Sequence, residues 1–234
     1  MHSPTSTSAV RQMFDRIAPT YDLLNTVLSL GVHRLWERKA VALLPSSQQG
    51  SCLDLCTGTG ALVPALAPKF ARVVAADISP EMLGIGQKRW ESVKNCEWVE
   101  ADAQALPFAD GQFNAVSISY GVRNLPDPAR GLREMHRVTA AGAWLVVLEF
   151  GQPSNRVWRE IFSLYSRFII PLIGSVVSGN SEAYRYLPET SAAFPCGERF
   201  EELLRSAGWL PHRTLPLLGG IAFIYLAQRS ELHY

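Results

Sequence analysis

Residues 51–63, SCLDLCTGTGALV, constrain the fold of this chain more than any other stretch. The run is apolar up to Asp54 and Leu55, breaks at Cys56-Thr57-Gly58-Thr59-Gly60 and resumes with Ala61-Leu62-Val63. That pattern reads as a strand, a tight glycine turn and the start of a helix. Further candidate strands at 72–77, 97–101, 113–119 and 144–150 alternate with helical segments. Such alternation implies right-handed crossovers and a largely parallel sheet with helices on both faces. WLPHRTL and IAFIYLAQ, on either side of Gly219-Gly220, predict an antiparallel hairpin that closes it.

The expected fold is therefore α/β, a Rossmann-like doubly wound sheet of seven strands, mostly parallel with an antiparallel C-terminal hairpin strand. Before it, Val10, Met13, Phe14 and Ile17 recur at helical spacing, Pro19 and Gly31 interrupt, and the pattern resumes from Leu35 to Leu44. These N-terminal helices cover the core. Pro45 and SSQQG predict a linker, and two later helices are expected over about 155–170 and 198–207. At 234 residues, 47% hydrophobic and 18% charged, one domain accounts for the chain. Its parts are a helical cover (1–45), a ligand-binding core (46–153), a helical insertion (154–195) and a closing helix and hairpin (196–228), with a tail at 229–234.

Lys+Arg 22 against Asp+Glu 21 leave a charge of +1 with no basic run, which argues against a nucleic-acid partner. The four cysteines, Cys52, Cys56, Cys96 and Cys196, show no Cys-x-x-Cys spacing, so a reduced protein without a structural metal is expected. MHSPTSTSAV reads as a flexible polar leader and not a secretion signal. FIIPLIGSVV, residues 168–177, is too short for a bilayer core of about 30 Å and contains Pro171 and Gly174. A buried helix end, a lid over a greasy substrate and a shallow membrane contact all remain open for it.

Ligands of such sheets bind at the carboxyl ends of the strands where the order reverses, so the glycine turn belongs to the site. A dinucleotide fingerprint fails here, because Val63 stands where the third glycine of Gly-x-Gly-x-x-Gly should be. Three acids, Asp54, Asp77 and Asp102, instead mark the ends of three successive strands. They suit S-adenosylmethionine, which carries an ammonium and a sulfonium. An acid near the turn, Asp54, can hold the amino acid end, and Asp77 can accept both ribose hydroxyls. Gly58 and Gly60 let the backbone approach the methionine moiety. Asp102 with the Ala103 amide can read the adenine edge, while Ile78 and Met82 pack on its face.

LDLCTGTG, AADISPEML, ADAQALPFADGQFNAVSISYGVRNLPDPARGLREMHRV and AWLVVLEFGQP resemble the class I S-adenosylmethionine-dependent methyltransferases. FDRIAPTYDLLNTVLSLGVHRLW, YGVRNLPD and SEAYRYLPETSAAFP are more specific and resemble the ubiquinone/menaquinone biosynthesis C-methyltransferases, over about Val10 to Gln228. Three positions depart from that pattern. Ala61 stands where the family usually has an aspartate, Thr57 replaces a common glycine or cysteine, and TAAGA replaces a Lys-Pro-Gly turn. The resemblance implies that Thr59, Asp77, Asp102, Ala103 and Ser119 contact the cofactor and that Tyr21 closes over its amino acid end. It also places Arg123 and Asn124 beside the reacting quinol, and implies methyl transfer to a ring carbon of a prenylated quinol such as demethylmenaquinol.

Methylation of an aromatic carbon requires a ring made nucleophilic by a hydroxyl that has lost, or nearly lost, its proton. A cation beside that oxygen favours the phenolate, and Arg123 is the expected one. His33, Tyr184 and Tyr186 are further candidates for the acceptor side. A cytoplasmic placement is expected, with peripheral contact at the inner face of a membrane remaining open, as do the quinone nucleus and the oligomeric state. An inactive cofactor-binding scaffold and a nicotinamide oxidoreductase are the competing readings, the latter weakened by Val63 and Asp102.

Overall fold

The computed structural model describes residues 6–169 and 190–230. Three helices open it: α1 (Thr7–Ile17), α2 (Tyr21–Ser29) and α3 (Val32–Leu43). Ser6 caps α1 by accepting from Ala9 N, and Pro19 falls in a single 3-10 turn, Ala18–Thr20, between α1 and α2. Leu30 and Gly31 are both left-handed and form the corner before α3.

Seven strands follow in one sheet: β1 (Ser47–Leu55), β2 (Phe70–Asp77), β3 (Cys96–Glu100), β4 (Phe113–Ser119), β5 (Thr139–Phe150), β6 (Trp209–Leu217) and β7 (Ala222–Arg229). Their order is β3-β2-β1-β4-β5-β7-β6. β1 to β5 pair in parallel, and β7 runs antiparallel to both β5 and β6. The order reverses between β1 and β4, which puts a crevice at their carboxyl ends. Among the described residues, helices α4 (Val63–Leu66), α5 (Pro80–Arg89), α6 (Pro128–Val138), α7 (Arg156–Leu164) and α8 (Glu198–Ser206) flank the strands, with a π turn, Tyr165–Ile169, after α7.

Several strand boundaries differ from the sequence reading. Ser47–Gly50, expected as linker, already belongs to β1, with an irregular register between Ser47 and Ser51 that absorbs the polar residues at the start of the strand. TAAGA, expected as a turn, is the first part of β5, where Gly142 takes a positive φ. β7 also runs one residue further than expected, through Arg229. Most of the apolar segment 168–177 lies outside the described residues.

Side chains alternate along each strand, so the central strands feed two cores. Leu53, Leu55, Val116, Ile118, Leu145 and Val147 pack toward α6 and α8, around Leu132, Met135, Phe200 and Leu204. Cys52, Ala115, Val146 and Leu148 pack on the other face with Ala40 and Val41 of α3 and with Leu44 just beyond it. Asp54 shares the face of Cys52 by this alternation, and therefore the side on which α3 lies. A third cluster, Ile17, Ala18, Leu24 and Met82, seats the N-terminal helices over α5. Among the described residues no helix is long and apolar enough to cross a membrane.

Candidate functional site

Two adjoining compartments lie at the carboxyl ends of β1, β2 and β4, sharing Tyr21, Cys56, Gly58, Ser119 and Tyr120 as walls. The first is a largely apolar cleft that opens to solvent. Asp77, Ile78, Met82, Asp102, Ala103 and Asn124 line it. Thr7, Val10 and Phe14 of α1 also face it. The second is an acidic recess lined by Asp22, Asn25, His33, Glu37 and Asp54, with Thr57, Gly58, Thr59, Ala61 and Leu62 of the turn.

Asp77 ties the site together. Its Oδ2 accepts from Gly58 N at 2.8 Å and its Oδ1 from Ser79 N at 2.9 Å, so the carboxylate ending β2 fixes the turn after β1 and the entry to α5. Burial raises its pKa, and those backbone bonds oppose the shift. Asp102 is held similarly: Oδ1 accepts from Gln104 N at 2.8 Å, and Oδ2 from Thr7 Oγ1 of α1 at 3.3 Å. The α1 helix is further fastened by Ser79 Oγ donating to Asp15 and by an Arg11–Glu100 ion pair at 2.8 Å.

Gly58 has φ +56, and a Cβ there would meet nothing nearer than Tyr21 at 3.9 Å, so the backbone is open to the cleft. Gly60 is different. A Cβ at Gly60 would fall 2.5 Å from Trp98 and 2.8 Å from Trp90, and the residue lines neither compartment. Its glycine is required by the tryptophans behind the turn, which corrects the expectation that it faces a ligand. Cys56 and Tyr120, at the ends of β1 and β4, both have positive φ, a strained conformation concentrated where the two strands diverge.

In the recess, Asp54 is 1% exposed, and its carboxylate accepts from Thr57 Oγ1 at 2.6 Å and Ser117 Oγ at 2.7 Å. Burial lifts its pKa to about 6 against those two bonds, with Asp77 adding to the rise. Thr59 lines the recess, and its hydroxyl donates to Asp22 and accepts from Arg89. Tyr21 is pushed up to about 12 by burial, so its hydroxyl is a neutral donor.

Residues 2–229 match the ubiE/COQ5 methyltransferase family. The chain belongs to that family. It is 42% identical over 220 residues to a demethylmenaquinone methyltransferase of Thermus thermophilus, covering 93% of this chain and all of that one. It is 40% identical over 232 residues to a ubiquinone/menaquinone biosynthesis C-methyltransferase, UbiE, of Bdellovibrio bacteriovorus, covering 96% and 97%. A solved SAM-dependent methyltransferase from Thermotoga maritima superposes with a TM-score of 0.66 at 20% identity, over 94% of this chain and 100% of that chain, and so shares its fold. The cofactor of this ubiE/COQ5 methyltransferase is S-adenosylmethionine.

Of the residues expected to act in a ubiE/COQ5 methyltransferase, the fold gathers Tyr21, Asp54, Gly58, Thr59, Asp77, Ile78, Met82, Asp102, Ala103, Ser119 and Asn124 around the two compartments. Arg123 is a correction. Its side chain is only 7% exposed, Nη1 donates to Glu149 Oε1 at 2.5 Å and to Tyr120 O at 2.7 Å, and it lines neither compartment. Its guanidinium is neutralised by a buried carboxylate, so it offers no free cation to a phenolate. The acid is Glu149 of β5, whereas Asp127 caps α6 through Arg130 N. His33 lines the acidic recess with Nδ1 2.6 Å from Ser29 Oγ, and burial and Arg34 lower its pKa. Tyr184 and Tyr186 lie outside the described residues. Sequence reasoning missed Glu37, Tyr120, Gln104 and Asn25. Glu37 and Asn25 left a signal, being four residues after His33 on α3 and four after Tyr21 on α2, and so on the same helix faces as those candidates.

Proposed function

We propose that this chain transfers the methyl group of S-adenosylmethionine to a ring carbon of a prenylated quinol, converting demethylmenaquinol to menaquinol. Near-complete correspondence with a relative named demethylmenaquinone methyltransferase carries this reading. The residues present fit the cofactor. Gly58 leaves its backbone open to the cleft, the recess is acidic as a cationic amino acid end requires, and Tyr120 Oη and Asn124 Oδ1 are buried without partners among the described residues. Bound there, the cofactor supplies a methyl on a sulfonium, open to in-line attack by a carbon nucleophile.

On this reading Asp77 accepts the ribose hydroxyls, Asp102 and the Ala103 amide meet the adenine edge, and Ile78 and Met82 pack on its face. Tyr21, Thr59, Asp54 and Ser119 enclose the amino acid end. Asn124 Oδ1 accepts a hydrogen bond from an acceptor hydroxyl, which enriches the ring in electrons. Arg123 is a positioning residue that holds the Tyr120 carbonyl and thereby the Tyr120–Asn124 corner. Orientation of two bound reactants supplies about 7–11 kcal/mol of a barrier of this kind, so these positioning contacts account for much of the catalysis.

α7 leaves Val157, Ile161 and Leu164 exposed, and Phe168 beyond it is 59% exposed, an apolar face suited to a prenyl chain or to a membrane surface that holds one. Phe162, stacked on Tyr165, is half-buried beside it. Ile169, Ile170, Leu172 and Ile173 were expected to share that role; the last three lie outside the described residues. The test is mass spectrometry of products from prenylated naphthoquinols and benzoquinols. Methyl gain on the naphthoquinol supports the menaquinone reading, gain on the benzoquinol alone moves the chain to ubiquinone synthesis, and gain on neither leaves the scaffold reading.

A further inference from the structure

The three carboxylates of the recess differ in one respect. Asp22 is paired with Arg89 at 2.5 Å and also accepts from Thr59. Asp54 has a hydroxyl on each oxygen. Glu37 has neither a hydrogen bond nor an ion pair among the described residues, although it lies mostly out of solvent. Among the described residues no lysine or arginine lines the recess, and His33, its remaining basic group there, is held toward the neutral form. Ala61, on the turn's side, contributes only a methyl group.

The placement of Glu37 follows from α3. His33, Glu37 and Val41 share one face at spacings of four, and Leu44 follows as the extended residue that ends the helix. The lower part of that face, Val41, packs with Leu44 on the sheet beside Cys52. Two residues on along β1 stands Asp54, which lines the recess with Glu37, so the same helix face that is apolar over the sheet becomes acidic over the crevice. Tyr120 Oη closes the other side, buried and without a partner. Arg89 is taken up by Asp22, and Arg34 lies near enough to oppose part of the rise in Glu37's pKa without pairing with it; a carboxylate left unpaired beside an orphaned hydroxyl is a receptor for a positively charged hydrogen-bond donor.

We infer that Glu37 supplies the carboxylate that receives the ammonium of the cofactor's amino acid end, a role the glycine turn itself does not fill because Ala61 brings no acid. The inference rests on the S-adenosylmethionine reading above. Burial and the facing Asp54 and Asp22 hold Glu37 at about 7, so it gains most when a cation arrives.

Calorimetry on the full chain tests it with three ligands: S-adenosylmethionine, S-adenosylhomocysteine, which keeps the ammonium but lacks the sulfonium, and methylthioadenosine, which lacks the amino acid end. Glu37→Gln keeps the shape and removes the charge. It should weaken the first two by about tenfold or more and leave the third unchanged, as expected for loss of a charge-assisted bond. Adding Ala61→Asp to E37Q should restore most of the loss. E37Q binding S-adenosylhomocysteine as tightly as wild type overturns the inference, and so does equal weakening of methylthioadenosine. Wild type that binds methylthioadenosine but not S-adenosylmethionine overturns it too, whereas wild type that binds none of the three overturns the cofactor reading itself.

Discussion

Arg123 and Glu149 form a buried ion pair that joins the corner after β4 to the end of β5. Besides the 2.5 Å contact between Nη1 and Oε1, Arg123 N donates to Glu149 Oε2 at 3.2 Å, and the guanidinium lies 5.0 Å above the Phe150 ring. Tyr120 stacks on that same ring at 4.6 Å. The pair therefore sets the position of two cleft residues, Tyr120 and Asn124, without facing the cleft.

Removing one partner of such a pair strands the other charge in the core. Arg123→Ala should cost about 3–5 kcal/mol of stability by urea denaturation. Arg123→Lys should recover only part, because a single ammonium cannot reproduce the fork that serves Glu149 and the Tyr120 carbonyl together. Wild-type stability in Arg123→Ala would refute the positioning role.

Asp77→Asn retains the shape but leaves one acceptor oxygen where the carboxylate has two. Gly58 N or Ser79 N then loses its partner, and the ribose loses its charge-assisted bonds. S-adenosylmethionine affinity should fall at least tenfold by calorimetry, together with a lower unfolding midpoint. Unchanged affinity would remove Asp77 from the ribose role.

The two glycines of the turn should respond differently to alanine. Gly60→Ala forces a Cβ against Trp98 and Trp90 and should cost about 1–3 kcal/mol in stability. Gly58→Ala meets only Tyr21 at contact distance and bears the strain of positive φ alone. Its larger effect should appear in cofactor affinity, so stability and binding measured on both variants should rank them in opposite orders.

Glu37 and Asp54 also make a prediction about pH. Both are raised in the fold, to about 7 and about 6, from unfolded values of 4.5 and 3.8, with burial the main cause in each. Glu37 faces Asp54 and Asp22, which raise it, and Arg34, which lowers it. Folding therefore takes up protons between these limits. The stability these groups contribute is complete below about pH 4 and is lost as pH rises through about 7. The difference in urea midpoint between wild type and Glu37→Gln should accordingly turn against wild type from pH 5 to pH 8, and saturating S-adenosylmethionine should remove that trend. A difference that does not change with pH would contradict the burial of Glu37's charge.

The sheet was legible in the residues because its signals are local. A strand of period two, a turn that needs glycine and a helix cap lie within a dozen residues of one another, as in Leu53 to Leu66 or in Ser79-Pro80 opening α5. The same locality put Asp54, Asp77 and Asp102 on one rim, since each sits at or near the end of its strand. Edges were read less well: Ser47–Gly50 and Thr139–Ala143 are polar or small and look like connections, yet partners on neighbouring strands hold them in the sheet. The site's charge balance was not legible at all. Whether Arg123 is a free cation depends on Glu149, 26 positions away, and whether Glu37 is a surface charge or a buried receptor depends on Asp54 and Tyr120. Residue order determines which side of a strand or helix a group lies on, by its 2.0 or 3.6 period. Only the packing of α3, β1, β4 and β5 against one another decides which charges meet, because pairing and desolvation act through space at distances the chain's order does not encode.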